Sequence, residues 1–361
     1  MINPGRMNVS QGQLSSHQIA NLSEKLPRAS KAVVWVGDKK FLPLIEVSMS
    51  TFVKTLEMDA FAENVTLCLI HDGVSRESLE TLEQGLQLPD NLKFSGLEIP
   101  RNFPEVHPAS TYPSISYARL LIPSVFANHE TVLYLDADTW ILQDLSPLLL
   151  NQLPDGNTIG AALDPSIAIQ VEQRAPTPPQ TELGTADKYL REKLGLESSD
   201  DYFNSGVLVF HPNKMNPASF DDFWVDRVKS YPYWMADQDV LNSYARGRFA
   251  RLDGSWNYLM GYNWPKSPAK KDIKILHFTG LARPWLIYLG TFCKPYHQLV
   301  ISASVRGGID DFYSGNPPAM VLRTILLFGF RSLPGSLRRL VRPVLEPINR
   351  RLMASRNRFL S

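Results

Sequence analysis

An α/β fold with a mostly parallel central sheet follows from three features of the sequence. Short apolar runs alternate with stretches of helical periodicity. The runs are apolar along their whole length, as strands buried on both faces are. The clearest polar motifs follow directly on them, at the carboxyl ends where such sheets bind ligands.

The elements can be taken in order. Ala32 to Val36 is a β-branched strand that ends at Gly37-Asp38. Leu44 to Leu56 has helical periodicity. Val65 to Ile70 is a second strand, with a turn at His71-Asp72-Gly73 and a helix over Ser75 to Leu86. Leu92 to Ile99 is a third strand and Ser116 to Ala127 a helix. Val132 to Leu135 is a fourth strand. No GxGxxG follows the first strand and no GxxxxGK(S/T) occurs, which argues against a dinucleotide fold and a P-loop NTPase.

Composition narrows the class. The chain has 361 residues, 44% hydrophobic and 20% charged, enough for one large α/β domain or two modest ones. Wholesale disorder and a disulfide scaffold are excluded. The two cysteines, Cys68 and Cys293, lie in no CxxC, and Cys68 reads as a buried thiol. Reduced, cytoplasmic conditions fit this usage, and no apolar run is long enough for a transmembrane helix. Residues 1–30, rich in Ser, Asn and Gln, read as a mobile extension. Residues 31–315 read as the folded body.

Charge is unevenly placed. Residues 321–361 hold nine Arg, no Lys, one Glu and no Asp, a net of +8, against −7 for the other 320 residues. Leu333, Leu337 and Leu340 interleave with Arg338, Arg339 and Arg342, and Pro334, Pro343 and Pro347 divide the segment. Residues 316–361 therefore read as a basic amphipathic tail that meets an anionic membrane surface. The alternative is a helix packed on the body with a solvated Arg face. Nucleic acid is not expected, because no stacking aromatics or known module accompany the arginines.

The strongest chemical signal is Tyr134-Leu135-Asp136-Ala137-Asp138, directly after the fourth strand. In an extended segment Asp136 and Asp138 project to one side. Two carboxylates so placed repel unless a cation lies between them, and hard oxygen ligands suit Mg²⁺ or Mn²⁺. The plain alternative is a pair of acids capping the helix near Asp144. Three later segments supply matching parts: Asn204-Ser205-Gly206-Val207 opening a strand, Asp237-Gln238-Asp239 starting a helix, and His277 to Trp285 after the strand Ile273 to Leu276. His277 can ligate a metal, Gly280 permits close backbone approach to a phosphate, and Arg283 offers it a cation. Each also has an ordinary reading as a structural His, a helix cap or a core residue. Their co-occurrence in this order separates the two.

These four segments, with Tyr117-Ala118-Arg119-Leu120 as a fifth, resemble family 8 glycosyltransferases, retaining enzymes of GT-A fold, from about Ala32 to Trp285. The sequence is especially similar to the bacterial lipooligosaccharide and lipopolysaccharide galactosyl- and glucosyltransferases of that family, whose basic tails the C-terminus also resembles. The resemblance implies Asp136, Asp138 and His277 as ligands of Mn²⁺, or Mg²⁺, bridging the donor diphosphate. It implies Val36, Asp38 and Phe41 around uridine, Arg119 and Ala137 at the donor, and Asn204 and Asp237 on sugar hydroxyls. Gln238 would face the anomeric carbon, and Gly280 and Arg283 would clamp the diphosphate. Lys39 and Lys40 stand where relatives often have Asp and Asn, and Arg283 where Lys is usual.

The activity so implied is transfer of glucose or galactose from UDP-glucose or UDP-galactose to a saccharide or glycolipid acceptor, a lipopolysaccharide precursor included. It would take place on the inner face of the cytoplasmic membrane. An amide at Gln238 is a poor nucleophile, which favours front-side attack, with Asp237 as the other candidate. A catalytically silent UDP-sugar-binding protein and a metal-dependent phosphohydrolase are the alternative functions.

Overall fold

The computed structural model describes residues 16–57, 64–100, 103–150, 152–154, 156–260, 272–279 and 294–303. Helix α1 (Ser16–Ser23) leads into β1 (Lys31–Asp38). Then come α2 (Leu42–Thr55), β2 (Val65–Asp72), α3 (Arg76–Leu86), β3 (Leu92–Glu98), α4 (Ile122–Val125) and β4 (Thr131–Leu135). The middle of the chain holds β5 (Thr139–Ile141), α5 (Ser146–Leu150), β6 (Ile159–Leu163), α6 (Pro165–Glu172), α7 (Ala186–Tyr189) and β7 (Phe203–Phe210). It closes with α8 (Pro217–Ser230), α9 (Ala236–Ala245), β8 (Ala250–Arg251), β9 (Tyr258–Leu259), β10 (Ile275–His277) and α10 (Lys294–Ile301).

Among the described residues a seven-stranded sheet runs in the order β3-β2-β1-β4-β7-β6-β8, and a smaller sheet in the order β5-β10-β9. In the large sheet only β7 runs against its neighbours. Residues alternate between two cores, as a strand period of two requires. On β1, Val33 and Trp35 face one core while Ala32, Val34 and Val36 face the other.

This topology positions the site. Strand order reverses between β1 and β4, whose neighbours on either side lead away in opposite directions, and ligands bind beyond the carboxyl ends at such a point. Asp38 and Asp136 mark those two ends. Because β7 is antiparallel, it starts where β4 finishes: Leu135 pairs with Val207, and Asp136 N donates to Gly206 O at 2.8 Å. The Asn204 to Gly206 segment is thereby set against Asp136.

Three expectations change. Residues 16–23 of the expected mobile extension form α1, with Leu22 buried and Ser23 Oγ donating to Val125 O at 2.8 Å. A short apolar face suffices to hold that stretch down. The helix expected over Ser116 to Ala127 is instead a 3-10 helix, Ser114–Leu121, followed by the single turn of α4 with Pro123 in it. Asp136 and Asp138 do not share a face of an extended strand. The chain turns at Ala137 and Asp138, and that turn brings their carboxylates together. Trp35 Nε1, Ser48 Oγ and Thr139 Oγ1 form a hydrogen-bonded relay that ends on Asp136 O and holds the turn.

Gly280, Arg283, Cys293 and the tail 316–361 lie outside the described residues. No helix among the described residues is long and apolar enough to cross a membrane. Cys68 is buried, and burial pushes its thiol far up, leaving it inert.

Candidate active site

Asp136, Asp138 and His277 converge, each offering a ligand atom within 4.8 Å of the others. His277 Nε2 lies 3.2 Å from Asp138 Oδ1 and 3.5 Å from Asp136 Oδ2. The other oxygen of Asp136 is committed elsewhere. Tyr134 OH donates to Oδ1 at 2.5 Å, and Arg119 Nη2 lies 3.0 Å from it. That leaves Oδ2 to face the cluster. Asp144, not this pair, caps α5, through Ser146 N at 3.1 Å.

The donor set fits a divalent cation. Two carboxylates and an imidazole suit Mn²⁺, or Mg²⁺ with a weaker claim on the nitrogen. The backbone makes room for them as well. A Cβ at Gly206 would stand 2.1 Å from His277 Cε1 and 2.8 Å from Asp136 Oδ2, so only glycine admits the cluster.

The tautomer of His277 follows from the network. Gly206 N donates to Asn204 Oδ1 at 2.9 Å, which fixes that atom as oxygen. Asn257 therefore turns its Nδ2 to Asn204 Oδ1 at 2.8 Å and its Oδ1 to His277 Nδ1 at 2.9 Å. Nδ1 carries the proton it donates there, and Nε2 points at the carboxylates. Burial pulls this imidazole down, but Asp138 and Asp136 outweigh it and hold it above its ordinary value. A cation entering here must displace the proton on Nε2. Replacing Asn257→Ala is expected to weaken Mn²⁺ binding by about 10–100-fold. Paramagnetic resonance titration of free Mn²⁺ reads this, and unchanged affinity would remove Asn257 from that role.

A second cluster backs the first. Arg119 lies on the 3-10 helix before α4 and is buried. Its Nη1 donates to Ser205 O at 2.9 Å and its plane sits 4.5 Å from the Tyr134 ring centre. Its Nε stands 3.0 Å from Asp237 Oδ2 as an ion pair, with the N–H not aligned on that oxygen. Burial opposes the charge on Arg119, and Asp136 and Asp237 more than restore it. Burial also pushes the Asp237 carboxyl up to about 6, against the pull of Arg119. Ala236, one residue earlier, holds φ at +50°, a strained value for a residue with a Cβ.

Gln238 is tied on both sides. Its Oε1 accepts from Ser205 N at 3.0 Å and Asn204 Nδ2 at 3.1 Å. Its Nε2 donates to Asp164 Oδ2 and Tyr202 OH, each at 2.9 Å. Asp239, next along α9, takes the cap role: its carboxylate accepts from Met235 N, Tyr189 OH and Tyr202 OH at 2.6 to 2.7 Å. Burial pushes it up to about 6 from 3.8 despite those donors. The native state thus holds a proton between about pH 4 and 6 that the unfolded chain has released, so this group's share of stability falls as pH rises through that window. The unfolding free energy of Asp239→Asn should gain about 2–3 kcal/mol on wild type between about pH 4 and about pH 7. A difference that stays flat in urea titrations at both pH values would overturn this.

The expected residues Asp136, Asp138, His277, Arg119, Asn204, Asp237 and Gln238 are thus brought together. Val36 is buried at the end of β1, Asp38 Oδ1 accepts from Lys40 N at 2.9 Å, and Phe41 is exposed just beyond. Ala137 is buried within the turn. Sequence reasoning missed Asn257, Tyr202 and Asp164, and gave Ser205 no role of its own. Asp164 follows the apolar strand β6 and was within reach of the strand-end rule. Asn257 carried no local signal.

The sequence model of Glycosyl transferase family 8 matches residues 32–287, well over half of the chain. The chain belongs to glycosyl transferase family 8. Its relatives include galactinol synthase 2 of Solanum lycopersicum, 26% identical over 185 residues, or 49% of this chain and 51% of that protein. Glycosyltransferase GlyE of Streptococcus pneumoniae is 22% identical over 272 residues, or 71% of this chain and 57% of that one. The chain spans about half the length of the curated relatives it matches. Among solved structures, the bifunctional glycosyltransferase WbbM aligns with a TM-score of 0.65 at 21% identity, covering 78% of this chain and 51% of that one. The galactosyltransferase LgtC, solved with donor and acceptor sugar analogues, aligns at 0.54 and 20% identity, covering 75% and 96%. At such identities the likeness bears on the fold, which is GT-A.

Proposed function

We propose that this protein moves a hexose, glucose or galactose, from a UDP-sugar to a saccharide acceptor with retention of configuration. The observation that carries the reading is the convergence of Asp136, Asp138 and His277 at the switch point of a family 8 chain. These three would hold Mn²⁺, with Mg²⁺ as the second choice. Such an ion, when bound, stabilises the charge that develops on a departing diphosphate.

The chain's own residues divide the remaining tasks. Arg119, kept cationic by Asp136 and Asp237, presents fixed positive charge toward the donor. Asn204 and Asp237 hold sugar hydroxyls. Val36, Asp38, Phe41 and Ala137 line the nucleotide and donor side, and Gly280 and Arg283 are assigned to the diphosphate. Gln238 orients the sugar and does not attack it, since both sides of its amide are committed to hydrogen bonds. Asp237 is paired with Arg119 and accepts from Ser205 Oγ at 3.2 Å, so it is poorly free to attack either. Front-side attack remains, with a diphosphate oxygen taking the acceptor's proton. The basic tail is assigned to an anionic surface on the inner face of the cytoplasmic membrane, which suits a glycolipid or lipopolysaccharide acceptor.

Release of UDP from a panel of UDP-sugars, with Mn²⁺ and with EDTA, tests the reading. Slow Mn²⁺-dependent release from one sugar is expected. UDP and Mn²⁺ binding without release from any sugar, with or without saccharides, would leave a silent binding protein instead. For Gln238→Ala, turnover should fall by about 10²-fold through misplacement and stay measurable. Complete loss in a folded variant that still binds UDP would count for a covalent role.

A further inference from the structure

A cavity of about 870 Å³ lies beside the cluster and outside the Asp136, Asp138 and His277 group. That is within the range of ligand pockets, about 300–1,000 Å³. Asp164 and Asn257 form part of its wall. Both also belong to the site: Asp164 holds the Gln238 amide and Asn257 holds His277. An occupant of the cavity is therefore one side chain away from Gln238 on one side and from His277 on the other.

The rest of the wall is lopsided in charge. Asp200, Asp253 and Asp272 join Asp164, and Lys274 is the one cation lining it among the described residues. Lys274 is already engaged, with Nζ 3.4 Å from Ser255 Oγ and 4.2 Å from the Trp256 ring centre. The acids alone would identify no ligand. The shared wall with the site is what makes the cavity a place for a reacting partner. A wall with this excess of carboxylates repels anions and tolerates neutral or cationic groups.

We propose that this cavity takes the acceptor, and that its charge selects neutral or amino-bearing sugars against carboxylated or phosphorylated ones. The proposal rests on the transferase reading above for the word acceptor, and on the cavity itself for the selection.

Saturation-transfer NMR on the full chain, with no donor present, tests the selection without any transfer. The probes are methyl β-galactoside, galactosamine and galacturonic acid. The first two should bind, and galacturonic acid about tenfold or more weaker at low salt. The gap should close at high salt and in the Asp200→Asn/Asp253→Asn variant, where Asn still caps the turn at 253. Equal affinity for all three sugars, binding of none, or a gap unchanged in the double variant would overturn the proposal. UDP release from the same preparation reports on the transferase reading separately. Its absence would sink that reading and leave the charge preference of the cavity standing.

Discussion

Substituting Gly206→Ala should cut the proposed metal-dependent transfer by about 10²-fold or more. The cause is a collision in the most crowded part of the site. The added Cβ would meet His277 Cε1 at 2.1 Å, His277 Nδ1 at 2.7 Å and Asp136 Oδ2 at 2.8 Å. Neither neighbour can swing clear. His277 is buried and tied to Asn257, and Asp136 is held by Tyr134 and Arg119. Overpacking of this kind costs about 1–3 kcal/mol, so the variant should fold with a lowered melting temperature. Mn²⁺ affinity should fall together with turnover. A folded variant with wild-type Mn²⁺ affinity would mean that β7 does not confine the ligand cluster, and the principal structural argument for the metal centre would be lost.

The largest effect on stability is expected at Arg119. Arg119→Met removes the guanidinium between Asp136 and Asp237 and leaves the buried Asp237 carboxyl without its counter-charge. Breaking a buried pair from one side costs about 3–5 kcal/mol. The loss should depend on pH, and the sign can be worked out. The Asp237 carboxyl already stands at about 6 in the folded protein, above its ordinary 3.8. Without the attraction of Arg119 it rises further. The folded variant then holds a proton that the unfolded chain gives up above about pH 4, so its stability falls as pH rises and the gap to wild type widens toward neutrality. Urea unfolding at several pH values measures this. A loss under about 1 kcal/mol at neutral pH, or one that does not change with pH, would show that Arg119 is not the counter-charge its distances suggest.

Much of the site was legible because its signals are local. Asp136 and Asp138 follow an apolar strand, and strand ends are where such sheets bind ligands. His277 was visible for the same reason, and Asn204 as a carboxamide opening an apolar run. Asp237 and Asp239 illustrate the limit. The pattern Asp-Gln-Asp at a helix start allows either a cap or a functional pair. The fold divides the roles, with Asp239 capping α9 and meeting two tyrosines while Asp237 meets Arg119. The convergence of Asp136 and Asp138 was anticipated for the wrong reason, since a turn and not an extended strand produces it.

The amino-acid sequence by itself determined the alternation of strands and helices, the apolar strands buried on both faces, and the family. Periodicity and short motifs are properties of neighbouring residues, so they survive in a linear reading. Only the tertiary structure decided that Asn257 orients His277, that Gly206 leaves space for the ligands, and that Asp164 stands between Gln238 and a cavity. Those contacts join residues far apart in the chain: Asn257 reaches Asn204 across 53 positions and Gln238 reaches Asp164 across 74. They exist because β7 runs antiparallel beside β4 and presents two backbone amides, Ser205 N and Gly206 N, that set the direction of every amide in the cluster.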